Sequence, residues 1–313
     1  MLKKKKKWLG EIIDCNGDSI SATIQSRKGR IYNAIHEVIA IVEDTRMQRL
    51  GGLQSGLDLW EIGIIPSLLS NSGTWSGLKN TNIKELDEIQ DYFLKRLLLV
   101  PSSTPKPALL YDTETLKMKY RIKKNILNFV KHTAMLEPNC LAKEILEEQL
   151  LNNWCGLVHD AVEISEELEL DGLMDCDVSK KMFKKITKST IRKKNDKEVK
   201  EEIGRYKKMS ILRDEETKKN RYIKENNIPN ARVIFKHRCD MFESKLNFKN
   251  NSVFKKENFL CDSCETKQDD NLHVLYCDSY KDLRANKDLN DNKDLGLYLQ
   301  RVLNIRTKLK LIK

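Results

Sequence analysis

No apolar run in the 313 residues approaches the roughly 20 needed to cross a bilayer, and Lys3 to Lys7 lead into no apolar signal core. Membrane-spanning and secreted classes are therefore not expected. The sequence has no P-loop, no G-x-G-x-x-G and no ordered Ser-His-Asp arrangement, so nucleotide cradling and hydrolase chemistry lack a local signature. No internal repeat of fixed period is present. An intracellular protein, nuclear or cytoplasmic, is expected. In that reducing setting its eight cysteines should be thiols or metal ligands rather than disulfides.

What the chain has in excess is positive charge. Lys and Arg number 57 against 46 Asp and Glu, a net +11 that favours polyanionic partners at moderate salt. At roughly 150 residues per domain the length suggests about two domains. Hydrophobic residues make up 40% of the chain and charged ones 33%, enough for a core surrounded by long solvated helices. The charge is uneven. Residues 1–139 carry 21 basic and 15 acidic side chains, 140–177 carry one basic and 11 acidic, and 178–313 carry 35 and 20. A reversal at residue 178 marks a candidate boundary. The acidic segment would repel phosphates or pair with the basic one.

The fold class expected is mainly α: a helical bundle with a short N-terminal β-hairpin and a small C-terminal zinc-stabilised module. Asn16-Gly17 near short apolar runs is a hairpin-turn signal. Ile31, Ile35, Val38, Ile39 and Val42 recur at helical spacing, and a second helix near Gly56 is punctuated by Pro66. A third, capped by Thr81 or Asn82, buries Ile83, Leu86, Ile89, Phe93, Leu94 and Leu97 and is stopped by Pro101, Pro105 and Pro107. Between Thr113 and Met135 the stripe Leu116, Ile122, Ile126, Phe129 and Val130 predicts another. Lys117, Lys119, Arg121, Lys123 and Lys124 should cover its outer side. Pro138-Asn139 opens a helix through Leu141, Ile145, Leu146 and Leu150 to Trp154.

Between 178 and 230 the composition predicts a docked basic helix and a connector. Lys180, Lys184, Lys188 and Arg192 recur every fourth residue with Lys181 and Lys185 beside them, while Met182, Phe183, Ile186 and Ile191 should point elsewhere. Such a stripe can track a phosphate backbone or be a solubilising surface. Arg232, Lys236 and Arg238 are further candidates for phosphate contact.

The sharpest local pattern is Cys261-x2-Cys264-x8-His273-x3-Cys277. Three thiolates and an imidazole match a closed tetrahedral zinc site, the cysteine pair turning back from a tight knuckle and His273 and Cys277 sharing one face of a helical turn. With all four positions taken by protein, the ion is expected to be structural. Cys15, Cys140, Cys155, Cys176 and Cys239 lack paired ligand spacing, and His36, His132 and His159 sit on helical patterns. Asp269-Asp270 lies in a loop and is expected to be solvated rather than a two-metal carboxylate pair.

Several strings in order are similar to the C-terminal part of the reverse transcriptase of non-long-terminal-repeat retrotransposons. They are Lys7-Trp8-Leu9-Gly10; Arg46-Met47-Gln48-Arg49-Leu50-Gly51-Gly52; Leu57-Asp58-Leu59-Trp60-Glu61 with Pro66-Ser67-Leu68-Leu69; Asn71 with Thr74-Trp75; Ala231 to Arg238; Asn247-Phe248-Lys249; and the cysteine cluster through Arg284. The resemblance runs from about residue 7 to about residue 304. It implies a remnant of the palm-end hairpin over 1–26, a thumb-like helical domain over 27–177, a basic helix and connector over 178–230 and a zinc-knuckle module over 231–313. The family's catalytic aspartates would lie upstream of Met1, so no polymerase activity is expected of this chain. The expected function is sequence-nonspecific RNA or DNA binding. Two alternatives stay open: part of a longer RNA-directed DNA polymerase, or a protein-interaction scaffold.

Overall fold

The computed structural model describes residues 5–8, 11–14, 18–44, 52–152, 156–170, 178–206, 221–244 and 259–312. Cys15, Asn16-Gly17, the string 46–51, Trp154, Cys155, Cys176, the 207–220 part of the connector and Asn247-Phe248-Lys249 lie outside them. The chain is mainly α-helical. Strands β1 (Lys5–Trp8) and β2 (Glu11–Asp14) pair antiparallel with Lys5 opposite Asp14 and Trp8 opposite Glu11. Asn16-Gly17 therefore follows the hairpin and is not the turn within it. Helix α1 (Ser19–Glu43) begins well before Ile31, because the Asp18 carboxylate accepts the Ser21 backbone N–H at 3.2 Å and caps it.

The helices that follow are α2 (Gly52–Leu59), a π-helical turn over Trp60–Ile64, α3 (Ile65–Leu68), α4 (Asn80–Leu98), α5 (Lys106–Thr113), α6 (Met118–Ala134), α7 (Leu141–Leu151), α8 (Leu157–Glu167) and α9 (Lys180–Gly204). Then come α10 (Arg221–Glu225), α11 (Ile228–Arg238), α12 (Asn271–Tyr276), α13 (Lys281–Arg284) and α14 (Asn292–Ile312). Pro66 follows directly on the π-helical turn inside one continuous helical run, and the shifted bonding there, with Ile65 N–H reaching Trp60 O, accompanies its missing N–H. Helix α4 ends at Leu98, before the first of the three prolines, where Leu99 turns left-handed with φ 50° and Val100 N–H closes on Lys95 O at 3.1 Å; Pro107 lies in the first turn of α5.

Two compact units interleave along the chain, whereas charge and motif order suggest consecutive segments. One takes residues 1–37, 59–93 and 115–199; the other takes 38–58, 94–114 and 200–313. The first has a core of Ile24, Ile31, Ile35, Leu86, Ile89, Met118, Ile122, Ile126 and Leu127, with Trp60 stacked on Phe93 at 4.4 Å and 7°. The short turn at Ser72–Thr74 lies against α6, and a β-carbon on Gly73 would come within 2.8 Å of the Phe129 β-carbon. Only glycine admits that approach.

The second unit buries every residue of α5 from Pro107 to Thr113. Around it lie Val42, Leu53, Leu57, Leu97, Tyr222, Ile234, Phe235, Tyr298 and Val302. The buried Asp112 carboxylate accepts hydrogen bonds from the Tyr222 hydroxyl at 2.7 Å and the Arg238 guanidinium at 3.0 Å, so charge burial is compensated. On α14, a β-carbon at Gly296 would sit 2.7 Å from Asn226 Oδ1 and 2.9 Å from Asn230 Cβ. That close approach sets where α14 delivers Arg306.

Candidate metal centre and basic helix

The Cys/His cluster lies in the second unit. Residues 259–261 and 267–269 run antiparallel: Leu260 bridges Gln268, Cys261 N–H donates to Lys267 O at 2.9 Å, and Asp269 N–H donates to Phe259 O at 2.8 Å. Between them the chain turns back through Glu265, whose φ of 57° is left-handed. That turn brings Cys264 beside Cys261. Asp270 caps α12 by accepting His273 N–H at 2.6 Å, which places the imidazole on the first turn. Cys277 follows α12 in an extended conformation, with φ −61° and ψ 129°, so the two distal ligands do not share a helical face as expected. They converge because the chain leaves the helix at Cys277.

The ligand atoms of Cys261, Cys264, His273 and Cys277 all lie within 4.8 Å of one another and could hold a metal ion. Cys261 Sγ is 4.0 Å from Cys277 Sγ, and Cys264 Sγ is 3.3 Å from His273 Nε2. Burial works to raise the Cys264 thiol, but hydrogen bonds led by those from the Thr266 hydroxyl and backbone outweigh it and bring the group down to about 6. Cys277 is pushed up to about 11, first by burial and then by the neighbouring Cys261 and Cys264 thiols.

Around these four is a shell that spacing did not reveal. Arg306, on the buried stripe Tyr298, Val302 and Arg306 of α14, holds Asp269 through two bonds of 2.6 and 3.1 Å. It also donates to Glu243 O at 2.6 Å and to the Tyr280 hydroxyl at 3.2 Å, and lies 4.0 Å from Cys261 Sγ. Burial disfavours its charge; Asp269 outweighs burial and keeps the guanidinium protonated. Asp269, at 3% exposure, is thus the opposite of the solvated loop acid expected. An arginine at helical spacing from apolar neighbours needs a buried acid, and that is the signal available in the sequence. Tyr280 pairs with Ser263 at 2.6 Å, Arg284 donates to Cys277 O at 2.6 Å, and Tyr298 donates to Val274 O at 2.5 Å. His237 is pushed down to about 4 by burial, so its neutral ring donates from Nε2 to Asn271 O at 3.2 Å. Cys239 is a buried thiol whose burial raises its pKa.

Helix α9 carries the predicted basic residues. Phe183, Thr187, Ile191, Asn195 and Val199, four residues apart, form its buried stripe in the first unit. Lys181, Lys184, Lys185, Lys188 and Arg192 are exposed, as a phosphate-tracking face requires. Lys180 is partly covered and lies 2.9 Å from His132 Nδ1. Two expectations fail on this helix. Met182 is 57% exposed and Ile186 half-buried, because the four-residue stripe turns them outward.

The other candidates are placed differently. Arg238 is buried against Asp112, unlike the exposed position expected of a phosphate contact. Arg232 donates to Leu97 O at 2.9 Å and pairs with Glu43 at 3.4 Å, while Lys236 is half-buried and its pKa is lowered by burial. On α6, Lys117 and Arg121 are buried rather than outward. Arg121 pairs with Glu61. Lys117 and Lys119 reach Glu198 of α9 at 3.0 and 2.7 Å, and the Tyr120 hydroxyl donates to it at 2.8 Å. Lys194 lies 3.6 Å from Glu167, which also binds Lys123. Among the described residues of the acidic segment, Glu167 engages the basic helix. No protein-family model, curated protein or solved structure matches this chain.

Burial works to raise Glu198, but its bonds from Lys119, Lys117 and Tyr120 dominate and hold it near 2. Its folded pKa lies below the usual 4.5, so its stabilisation is complete above that value and fades as pH falls through about 2. Glu198→Gln should cost about 1–2 kcal/mol at pH 7 in denaturant titrations, with the deficit shrinking at pH 3. Equal stability of variant and parent at pH 7 would contradict the clamp.

Proposed function

We propose that this chain is a non-catalytic, sequence-nonspecific RNA- or DNA-binding protein of the kind implied by the reverse-transcriptase resemblance, with structural zinc on Cys261, Cys264, His273 and Cys277. The observation that carries the binding role is the exposed face of α9. Lys181, Lys184, Lys185, Lys188 and Arg192 stand on a helix whose opposite stripe is buried. Like charges at this spacing cost a few tenths of a kcal/mol each, and a polyanion relieves that repulsion. Flexible ammonium groups suit phosphate contact without base readout.

The zinc reading rests on donor chemistry and spacing. Zinc bonds of about 2.3 Å to sulfur and about 2.0–2.1 Å to nitrogen place tetrahedral ligand atoms about 3.8 Å apart for two sulfurs and about 3.5 Å apart for sulfur and nitrogen. The separations here are 4.0 and 3.3 Å. Four protein ligands leave no position for an activated water, which supports a structural role. The non-catalytic reading is supported by the adjacent carboxylates Asp269 and Asp270, one held by Arg306 and the other capping α12.

If the five exposed cations each neutralise one phosphate, log Kd against log salt should have a slope magnitude near 4.5 on duplex DNA and a smaller one on single strands. Lys184→Glu with Lys188→Glu should reduce it by about two. A flat salt dependence in the parent protein contradicts the binding role. Separately, purified protein should contain about one equivalent of zinc, lost in Cys261→Ser together with ordered structure around 259–285. Full metal retention in that variant contradicts the ligand set.

A further inference from the structure

Helix α7 is the most conspicuous mismatch between apolar pattern and burial. Leu146 is buried, yet Leu141, Ile145, Leu150 and Leu151 are 68%, 45%, 53% and 86% exposed. Leu141, Ile145 and Leu151 fall with the exposed Glu144 and Glu148 within about 120° of the helix, so this face is apolar and negative, while Leu150 lies on the opposite side with Leu146. Monomers rarely leave such a contiguous patch bare.

Helix α9 presents the counterpart. Its outer side carries a shallow, open surface on which Met182 and Ile186 lie among Lys181, Lys185 and Lys193. The two helices belong to the same compact unit, yet among the described residues of the acidic segment it is Glu167 on α8, not a glutamate of α7, whose carboxylate meets α9. Each copy therefore carries both halves of one complementary contact.

We propose that α7 of one copy docks on α9 of a second copy, leucines over Met182 and Ile186 and glutamates against Lys181 and Lys185. Because both halves are on every copy, the contact can be made twice about a two-fold axis and so close as a dimer. A second copy accounts for both features at once. A polyanion would use the lysines and leave the α7 leucines in water, and an anionic lipid surface would repel the α7 glutamates. Steering by opposite charge selects this pairing over α7 on α7 or α9 on α9. The inference does not rest on nucleic-acid binding: α7 and a polyanion compete for Lys181 and Lys185, so dimerisation and RNA binding should oppose each other.

Sedimentation velocity on the nuclease-treated full chain should show a concentration-dependent dimer across the micromolar range. Glu144→Lys with Glu148→Lys makes both faces positive, and Lys181→Glu with Lys185→Glu makes the α9 face negative like α7. Either double variant alone should dimerise about tenfold more weakly or worse. Their mixture should recover parental association as a heterodimer, since both contacts are then attractive. A parent that stays monomeric, a dimer that disappears with nuclease, or a dimer insensitive to both swaps overturns the proposal. A second measurement needs no variant: carbodiimide cross-links between isotopically light and heavy copies should join Glu144 or Glu148 to Lys181 or Lys185. Only same-copy links at these residues would also overturn it.

Discussion

The four-residue spacing of Phe183, Thr187, Ile191, Asn195 and Val199 governs what the first unit can present to a partner. Burying Phe183, Ile191 and Val199 is worth roughly 1.5–3 kcal/mol each, against a few tenths for each like-charge neighbour on the opposite side. Anchoring wins, and the lysines have no face but the outer one. Asn195 adds a specific fix by accepting the Lys117 N–H at 3.0 Å, and Glu198 and Glu167 clamp the same helix from its polar flank. The basic surface is thus held by buried apolar contact and by ion pairs that join Glu198 of this helix to Lys117 and Lys119, and its Lys194 to Glu167.

A different logic holds the second unit's C-terminal module. Its ligands come from a short antiparallel turn, a six-residue helix and the extended residue after it, elements too small to persist alone. They are tied to α14 through Arg306, which spans Asp269, Tyr280 and the Glu243 carbonyl. A metal ion on the four donors would add a crosslink to a shell that already fixes Asp269 and the chain on either side of the cysteines.

The sequence made the fold class and the Cys/His cluster legible because both depend on local spacing: helical periodicity for α1, α4 and α6, and cysteine and histidine intervals for the cluster. The outward lysines of α9 followed from the same periodicity. It failed where partners are distant in sequence. Lys117, Arg121, Arg238 and Asp269 look like surface charges, yet each is buried against an opposite charge between 37 and 126 residues away. It failed also on α7, where a continuous apolar stripe reads as core although only Leu146 is buried.

Lysine reactivity tests the account's central claim that α9 is the polyanion-facing element. Acetylation of the full chain, measured residue by residue with and without single-stranded RNA, should show RNA protecting Lys181, Lys184, Lys185 and Lys188 while leaving Lys236 and Lys117 unchanged. Protection absent from α9, or concentrated on lysines elsewhere in the chain, would contradict it.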